Sequence, residues 1–174
     1  MKKAQRFIVV IGIILFWSCT ERKPQVDENK PPNILIILAD DLGYGDLSSF
    51  NPISKISTPN IDAIAKDGMK FTNAHAAGTW CVPSRYGLLT GRFPFRNKRE
   101  YTESMISPDR ITMGKFLQQN GYRTACVGKW HQGIVNEKNP VEGARLEGGP
   151  VDKGFDYFYG IPASLDIPPY YYIE

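Results

Sequence analysis

Cys81-Val82-Pro83-Ser84-Arg85 is the segment of this sequence best placed to do chemistry. Proline suits the first turn of a helix, so a helix is expected to start at Pro83, with the preceding thiol close to its positive end. Arg85 lies a turn further on and adds a cationic charge, which makes Cys81 a candidate nucleophile. A second group is Asp40-Asp41, whose hard oxygens suit Ca²⁺ or, less well, Mg²⁺. Taken alone, the pair also fits an Asp40 that caps a turn and an Asp41 that faces water. Lys129 and His131 form a third group, separated by Trp130. By themselves they read as a surface lysine and a satisfied polar histidine.

The elements that must position these residues follow from periodicity. Residues 33–38, NILIIL, are an unbroken aliphatic run of the kind a strand covered on both faces carries, and the run ends at Asp40-Asp41. Thr58-Pro59 signals a helix start, Ile61, Ile64 and Ala65 give it one apolar face, and Gly68 ends it. Residues 70–74 read as a strand. The helix from Pro83 carries Tyr86, Leu88 and Leu89 until Gly91 stops it. Thr112 is expected to cap a third helix that buries Met113, Phe116 and Leu117 and stops at Asn120-Gly121. Residues 123–127 read as a further strand. Strands alternating with amphipathic helices predict an α/β fold with a mostly parallel sheet sandwiched by helices, where ligands gather at the carboxyl ends of strands. Asp40, Asp41, Lys129 and His131 all follow expected strands.

The chain has 174 residues, 42% hydrophobic and 22% charged, with a formal charge of +3. These values exclude a disordered, collagenous or polytopic membrane chain. Setting aside Lys2, Lys3 and Arg6, the remaining basic residues match the 18 acidic ones. The balance gives no case for a nucleic-acid partner, and the run Arg92, Arg96, Lys98, Arg99 reads as a solvated face. The three early cations precede an apolar run from Phe7 to Trp17, which is too short to cross a hydrocarbon core of ~30 Å. Residues 1–18 therefore read as a signal peptide. Ser18-Cys19 resembles the cleavage box of bacterial lipoproteins and would leave Cys19 as the lipidated N-terminus; plain secretion is the alternative. Either way the protein is exported, as a periplasmic or outer-membrane-anchored protein whose only membrane contact is that lipid. Residues 19–32, rich in proline and alternating charge, read as a tether. The folded part, 33–174, holds Cys81 and Cys126; Cys126 sits in an apolar run and reads as a packed thiol.

Four segments then point to a family. Cys81-Val-Pro-Ser-Arg85 followed by Leu88-Leu-Thr-Gly-Arg92 resembles the signature of the type I sulfatases, formylglycine-dependent and arylsulfatase-like, within the alkaline-phosphatase-like superfamily. Residues 33–46 (NILIILADDLGYGD), 58–62 (TPNID) and 128–133 (GKWHQG) are similar to that family in the same order. The resemblance implies an alkaline-phosphatase-like fold and hydrolysis of sulfate monoesters, with sulfated glycans as the expected substrates. It implies that a formylglycine-generating enzyme converts Cys81 to formylglycine, whose hydrate attacks sulfur with one hydroxyl and then expels sulfate through the other. Asp40 and Asp41, with residue 81, become Ca²⁺ ligands; Arg85 holds the hydrated aldehyde; Lys129 binds sulfate oxygens; and His131 orients or deprotonates a hydroxyl. Tyr44 and Trp130 are expected to pack, His75 to be structural or to line the cleft, and Asp152 and Asp156 to be structural. Gln132 departs from the leucine common in the family motif. Residues 33–174 are expected to be the N-terminal part of a longer catalytic domain. Two other readings stay open: a phosphonate or phosphate ester hydrolase of the same superfamily, and, for a truncated chain, an inactive anion-binding surface lipoprotein.

Overall fold

Glycine and capping residues set most of the helix boundaries. The computed structural model describes residues 30–97, 104–135, 141–168 and 170–174. The expected signal peptide, Cys19, most of the tether, Lys98 and Arg99 lie outside these. The chain divides into two units, the first ending at Ala39 and the second running from Asp40 to Glu174. In the first, residues 33–38 form no ladder and their aliphatic side chains are exposed, against the expectation of a covered strand. β-branched composition supplies propensity only, and a strand also needs a partner backbone. Among the described residues no helix is long and apolar enough to cross a membrane.

In the second unit, α1 spans Pro59–Asp67, as Thr58-Pro59 and Gly68 predict. Its Thr58 caps differently from the usual N-cap: the hydroxyl donates to Asp62 Oδ1 at 3.1 Å and accepts from the Ser48 amide at 3.1 Å. Ile61 and Ile64 are exposed, so the apolar face of α1 is not buried as expected. Residues 70–74 form turns and loop, with no strand. Helix α2 spans Cys81–Thr90 and ends at Gly91, whose φ of 65° lies in the left-handed region that glycine adopts freely. It starts at Cys81, two residues before the expected Pro83, because the Ser84 amide already donates to the Trp80 carbonyl at 3.1 Å. Helix α3, Met113–Gln119, is capped by Thr112, whose hydroxyl accepts from the Lys115 amide. Phe116 was expected to be buried but is exposed, and the buried contact is made by Gly114 under Phe155.

Strands β1 (Ala125–Lys129) and β2 (Tyr157–Ile161) pair in parallel, Ala125 opposite Tyr157 and Lys129 opposite Ile161. β1 lies two residues beyond the expected 123–127, because Thr124 is occupied by side-chain chemistry. Its amide donates to Asp156 Oδ2 at 2.8 Å and its hydroxyl to the Gly154 carbonyl at 2.9 Å. The core joins Val82, Tyr86 and Leu89 of α2 to Trp130, Ile134, Phe155, Phe158, Met105 and Ile106. Trp130 packs edge-on against Phe155, whereas Tyr44 stays exposed with its ring against Phe50. Cys126 is a free thiol packed at the edge of this core, and burial pushes its pKa up.

Asp152 and Asp156 do structural work. Asp152 pairs with Arg145 and accepts from the Gly148 amide. Asp156 accepts from the Thr124 amide and from Gln118 Nε2 at 2.7 Å, and these bonds, the Thr124 amide first, lower its pKa. A carboxylate with a lowered folded pKa stabilises the fold above its unfolded pKa, and that stability is lost as pH falls through the folded value. Asp156→Asn keeps the shape but presents an amide nitrogen to donors. The melting-temperature gap to wild type should therefore be open near neutral pH and close as pH falls below the ordinary carboxylate range and through the lowered folded value; thermal scans from neutral to acid pH check it, and a pH-independent gap would exclude the ionised carboxylate as the cause.

Candidate active site

The site assembles at the start of α2 and the carboxyl end of β1. Placing Cys81 in the first turn of α2 sets its thiol beside the positive helix end. Two close approaches seat that turn. A β-carbon at Gly78 would lie 2.5 Å from Pro83 Cβ, and one at Gly87 would lie 2.2 Å from Ala77 Cβ. The Ser84 hydroxyl donates to the Gly78 carbonyl at 2.7 Å.

Arg85, one turn on, reaches across to β1. Its Nη1 donates to the Lys129 carbonyl at 2.6 Å, and its Nη2 pairs with Asp40 Oδ1 at 3.2 Å. Lys129 Nζ meets Asp40 Oδ2 at 2.8 Å and Cys81 Sγ at 3.1 Å. The ammonium therefore stands between the carboxylate and the sulfur. Both cationic side chains are largely buried, 13% and 12% exposed, while Asp40 is 44% exposed. The Lys129 hydrogen bond lowers the Asp40 pKa against the cost of burial, with the Lys129 charge and Arg85 adding to it. Burial opposes the charge on Lys129, but bonding to Asp40 and Cys81 outweighs it and raises its pKa. His131 behaves in the opposite way. Burial and then the charges of Lys129 and Arg85 push its pKa down, which favours a neutral ring.

Backbone strain converges here as well. Among the described residues only Asp41 (φ 56°) and His131 (φ 51°) are non-glycine residues with positive φ. Residues with a β-carbon are uncommon there and cluster at functional sites. One donor atom each from Asp40, Asp41 and Cys81 lie within 4.8 Å of one another. Two hard carboxylate oxygens suit Ca²⁺ and a thiol sulfur does not, so the set fits a hard cation once residue 81 presents oxygen.

A family profile described as Sulfatase matches residues 32–173. The chain belongs to the sulfatase family. It is 37% identical over 182 residues to N-acetylgalactosamine-6-O-sulfatase of Bacteroides thetaiotaomicron, with 100% of this chain and 35% of that protein covered. Arylsulfatase A of Bos taurus is 43% identical over 145 residues, covering 80% of this chain and 27% of its own length. A solved structure from work on the metabolism of multiple glycosaminoglycans by Bacteroides thetaiotaomicron matches with a TM-score of 0.72 and 39% identity, over 82% of this chain and 30% of that one. Ps i-CgsB in complex with k-i-k-neocarrahexaose matches at a TM-score of 0.60 and 36% identity, over 75% and 28%. The chain spans about a third or less of the length of these relatives. Its parallel strand pair and surrounding helices are the α/β architecture of sulfatase structures.

Within this sulfatase chain, Asp40, Cys81, Arg85 and Lys129 share direct contacts. Asp41 joins through its carboxylate, and His131 lies close enough to feel the charges of Lys129 and Arg85. His75 is exposed and bonds Asn73 Oδ1 at 2.8 Å. One residue had no sequence signal: Asp166, whose charge acts on both Lys129 and His131 from the loop after β2. The Pro162 carbonyl of that loop accepts from the His131 amide at 2.9 Å.

Proposed function

We propose that this chain carries the nucleophile and anion-binding residues of a sulfuric ester hydrolase that releases inorganic sulfate from sulfated carbohydrates. The observation that carries the reading is Lys129 Nζ, held between Asp40 at 2.8 Å and Cys81 Sγ at 3.1 Å. An ammonium there can shift onto a sulfate oxygen while staying beside the nucleophile. Arg85 is anchored on the Lys129 carbonyl and Asp40, so it supplies a fixed positive charge. His131, kept neutral by burial and nearby cations, takes up a proton released next to residue 81. Its Nδ1 is buried and has no hydrogen-bond partner among the described residues.

Conversion of Cys81 to formylglycine by a formylglycine-generating enzyme would supply a geminal diol, one hydroxyl to attack sulfur and a second to expel sulfate. Asp40, Asp41 and residue 81 would hold Ca²⁺, which contributes positive charge beside a sulfate oxygen. The relatives named for N-acetylgalactosamine-6-sulfate chemistry and for glycosaminoglycan metabolism support a sulfated-glycan substrate. Export with a lipid on Cys19 completes the reading and puts the enzyme where external glycans arrive.

The test is parallel turnover of an aryl sulfate and an aryl phosphonate ester by protein co-expressed with a formylglycine-generating enzyme. Faster release of sulfate is expected. Faster turnover of the phosphonate would reassign the chain to the phosphonate or phosphate ester hydrolases.

A further inference from the structure

Gln132 follows His131 and is fully buried, at 0% exposure. A primary amide in that position is costly unless its polar atoms find partners. Its Nε2 donates to the Val82 carbonyl and to the His131 carbonyl, both at 2.8 Å. Both amide hydrogens are thereby used, and Oε1 has no partner among the described residues. Val82 is the residue after Cys81 in the first turn of α2, so one amide ties the turn carrying residue 81 to the peptide carrying His131.

We propose that Gln132 is a positioning residue that fixes His131 relative to residue 81. The surrounding backbone supports this. The His131 amide donates to the Pro162 carbonyl at 2.9 Å, and the Met105 amide donates to the Gln132 carbonyl at 2.8 Å. With the two side-chain bonds, these hold the 131–132 peptide from both sides. That is what a residue at φ 51° requires, because a backbone in the left-handed region persists only where its surroundings over-determine it. Volume alone does not explain the glutamine. Leucine, the residue common at this place in the family motif, would fill the space and leave both carbonyls without this donor.

The inference rests on the reading in which His131 and residue 81 act together, so its test needs a readout independent of turnover. Such a readout is available because the chain has two histidines, His75 and His131. In the ¹⁵N-histidine-labelled full chain, Gln132→Leu should move the His131 imidazole resonances, because the bonds from Gln132 to the Val82 and His131 carbonyls are lost. The His75 resonances should stay put. In matured enzyme the same variant should fold, lose about 10- to 100-fold in kcat on an aryl sulfate, and keep KM within about twofold. A folded variant with unmoved His131 resonances and wild-type kcat would overturn the proposal. If Gln132→Leu fails to fold, Gln132→Met is read the same way; failure of both would assign Gln132 to folding and overturn the positioning role. A matured enzyme that turns over an aryl phosphonate faster than an aryl sulfate, and in which Gln132→Leu still moves His131, would sink the sulfate-ester reading and leave the positioning role standing.

Discussion

Cys81→Ala should reduce sulfate-ester turnover to background, a loss of at least about 10³-fold, as expected when a covalent nucleophile is removed. The substitution deletes the one atom that Lys129 Nζ reaches at 3.1 Å and leaves the rest of the charge cluster in place. Asp40 still pairs with Lys129 and Arg85, and Arg85 still anchors on the Lys129 carbonyl. Folding should therefore survive, with a melting temperature within a few degrees of wild type, which separates chemistry from collapse. Two further measurements locate the cause. Trypsin should release peptide 71–85, and its mass in the active enzyme should show an aldehyde in place of the thiol. A hydrazide probe should label wild type and not Cys81→Ala. Cys126→Ala should retain labelling and nearly full turnover, because that thiol packs at the core edge and, though it feels the charge of Arg85, is not a partner in the bonds that join Asp40, Cys81, Arg85 and Lys129. Turnover by an enzyme whose residue 81 is still a thiol would refute the diol nucleophile and require direct attack by a thiolate or a metal-bound hydroxide.

The chemistry was more legible in the sequence than the elements that hold it. Cys81, Arg85, Lys129, Asp40 and Asp41 were singled out by type, spacing and motif order, and folding brings their side chains together across up to 89 residues of sequence separation. Helix ends were legible where one residue does the stopping, as at Gly68 and at Gly91 with its φ of 65°. Strands were read less well. Ladder bonds are non-local, and composition at residues 33–38 and 70–74 carries no information about a partner. The two-residue offset of β1 has a similar origin, because Thr124 spends its amide and hydroxyl on Asp156 and Gly154, more than 25 residues ahead. Exposure of Ile61, Ile64 and Phe116 also depends on what else packs there, which periodicity does not specify. Gln132 shows the limit most clearly. It was read only as a departure from a motif, and its significance lies in two carbonyls, one of them 50 positions earlier.

Gly160→Ala should have the largest effect on the fold, and through it on the site. Gly160 sits opposite Gly128 in the parallel pair. A β-carbon at 160 would lie 1.8 Å from the Gly128 oxygen, 2.6 Å from its carbon and 2.9 Å from its nitrogen. All three atoms are backbone, so no side chain can swing away, and the strands would have to part. Gly160 also exchanges backbone bonds with Ile173, at 3.0 and 2.8 Å, which blocks movement on its other side. The overlap should cost about 3 kcal/mol or more, the upper end for overpacking, and lower the melting temperature by about 10 °C. Gly121→Ala provides the contrast. Its φ of 82° imposes left-handed strain, but nothing lies within 4 Å of the added carbon, so the cost should be only about 1–2 kcal/mol. Parting the strands at Gly128 also displaces its neighbour Lys129, whose carbonyl anchors Arg85 and whose ammonium reaches Asp40 and Cys81. Any Gly160→Ala protein that remains folded should accordingly lose turnover, whereas folded Gly121→Ala should keep it. A Gly160→Ala melting temperature equal to wild type would mean that the two glycines do not face each other, and the register that carries Lys129 to Cys81 would have to be redrawn.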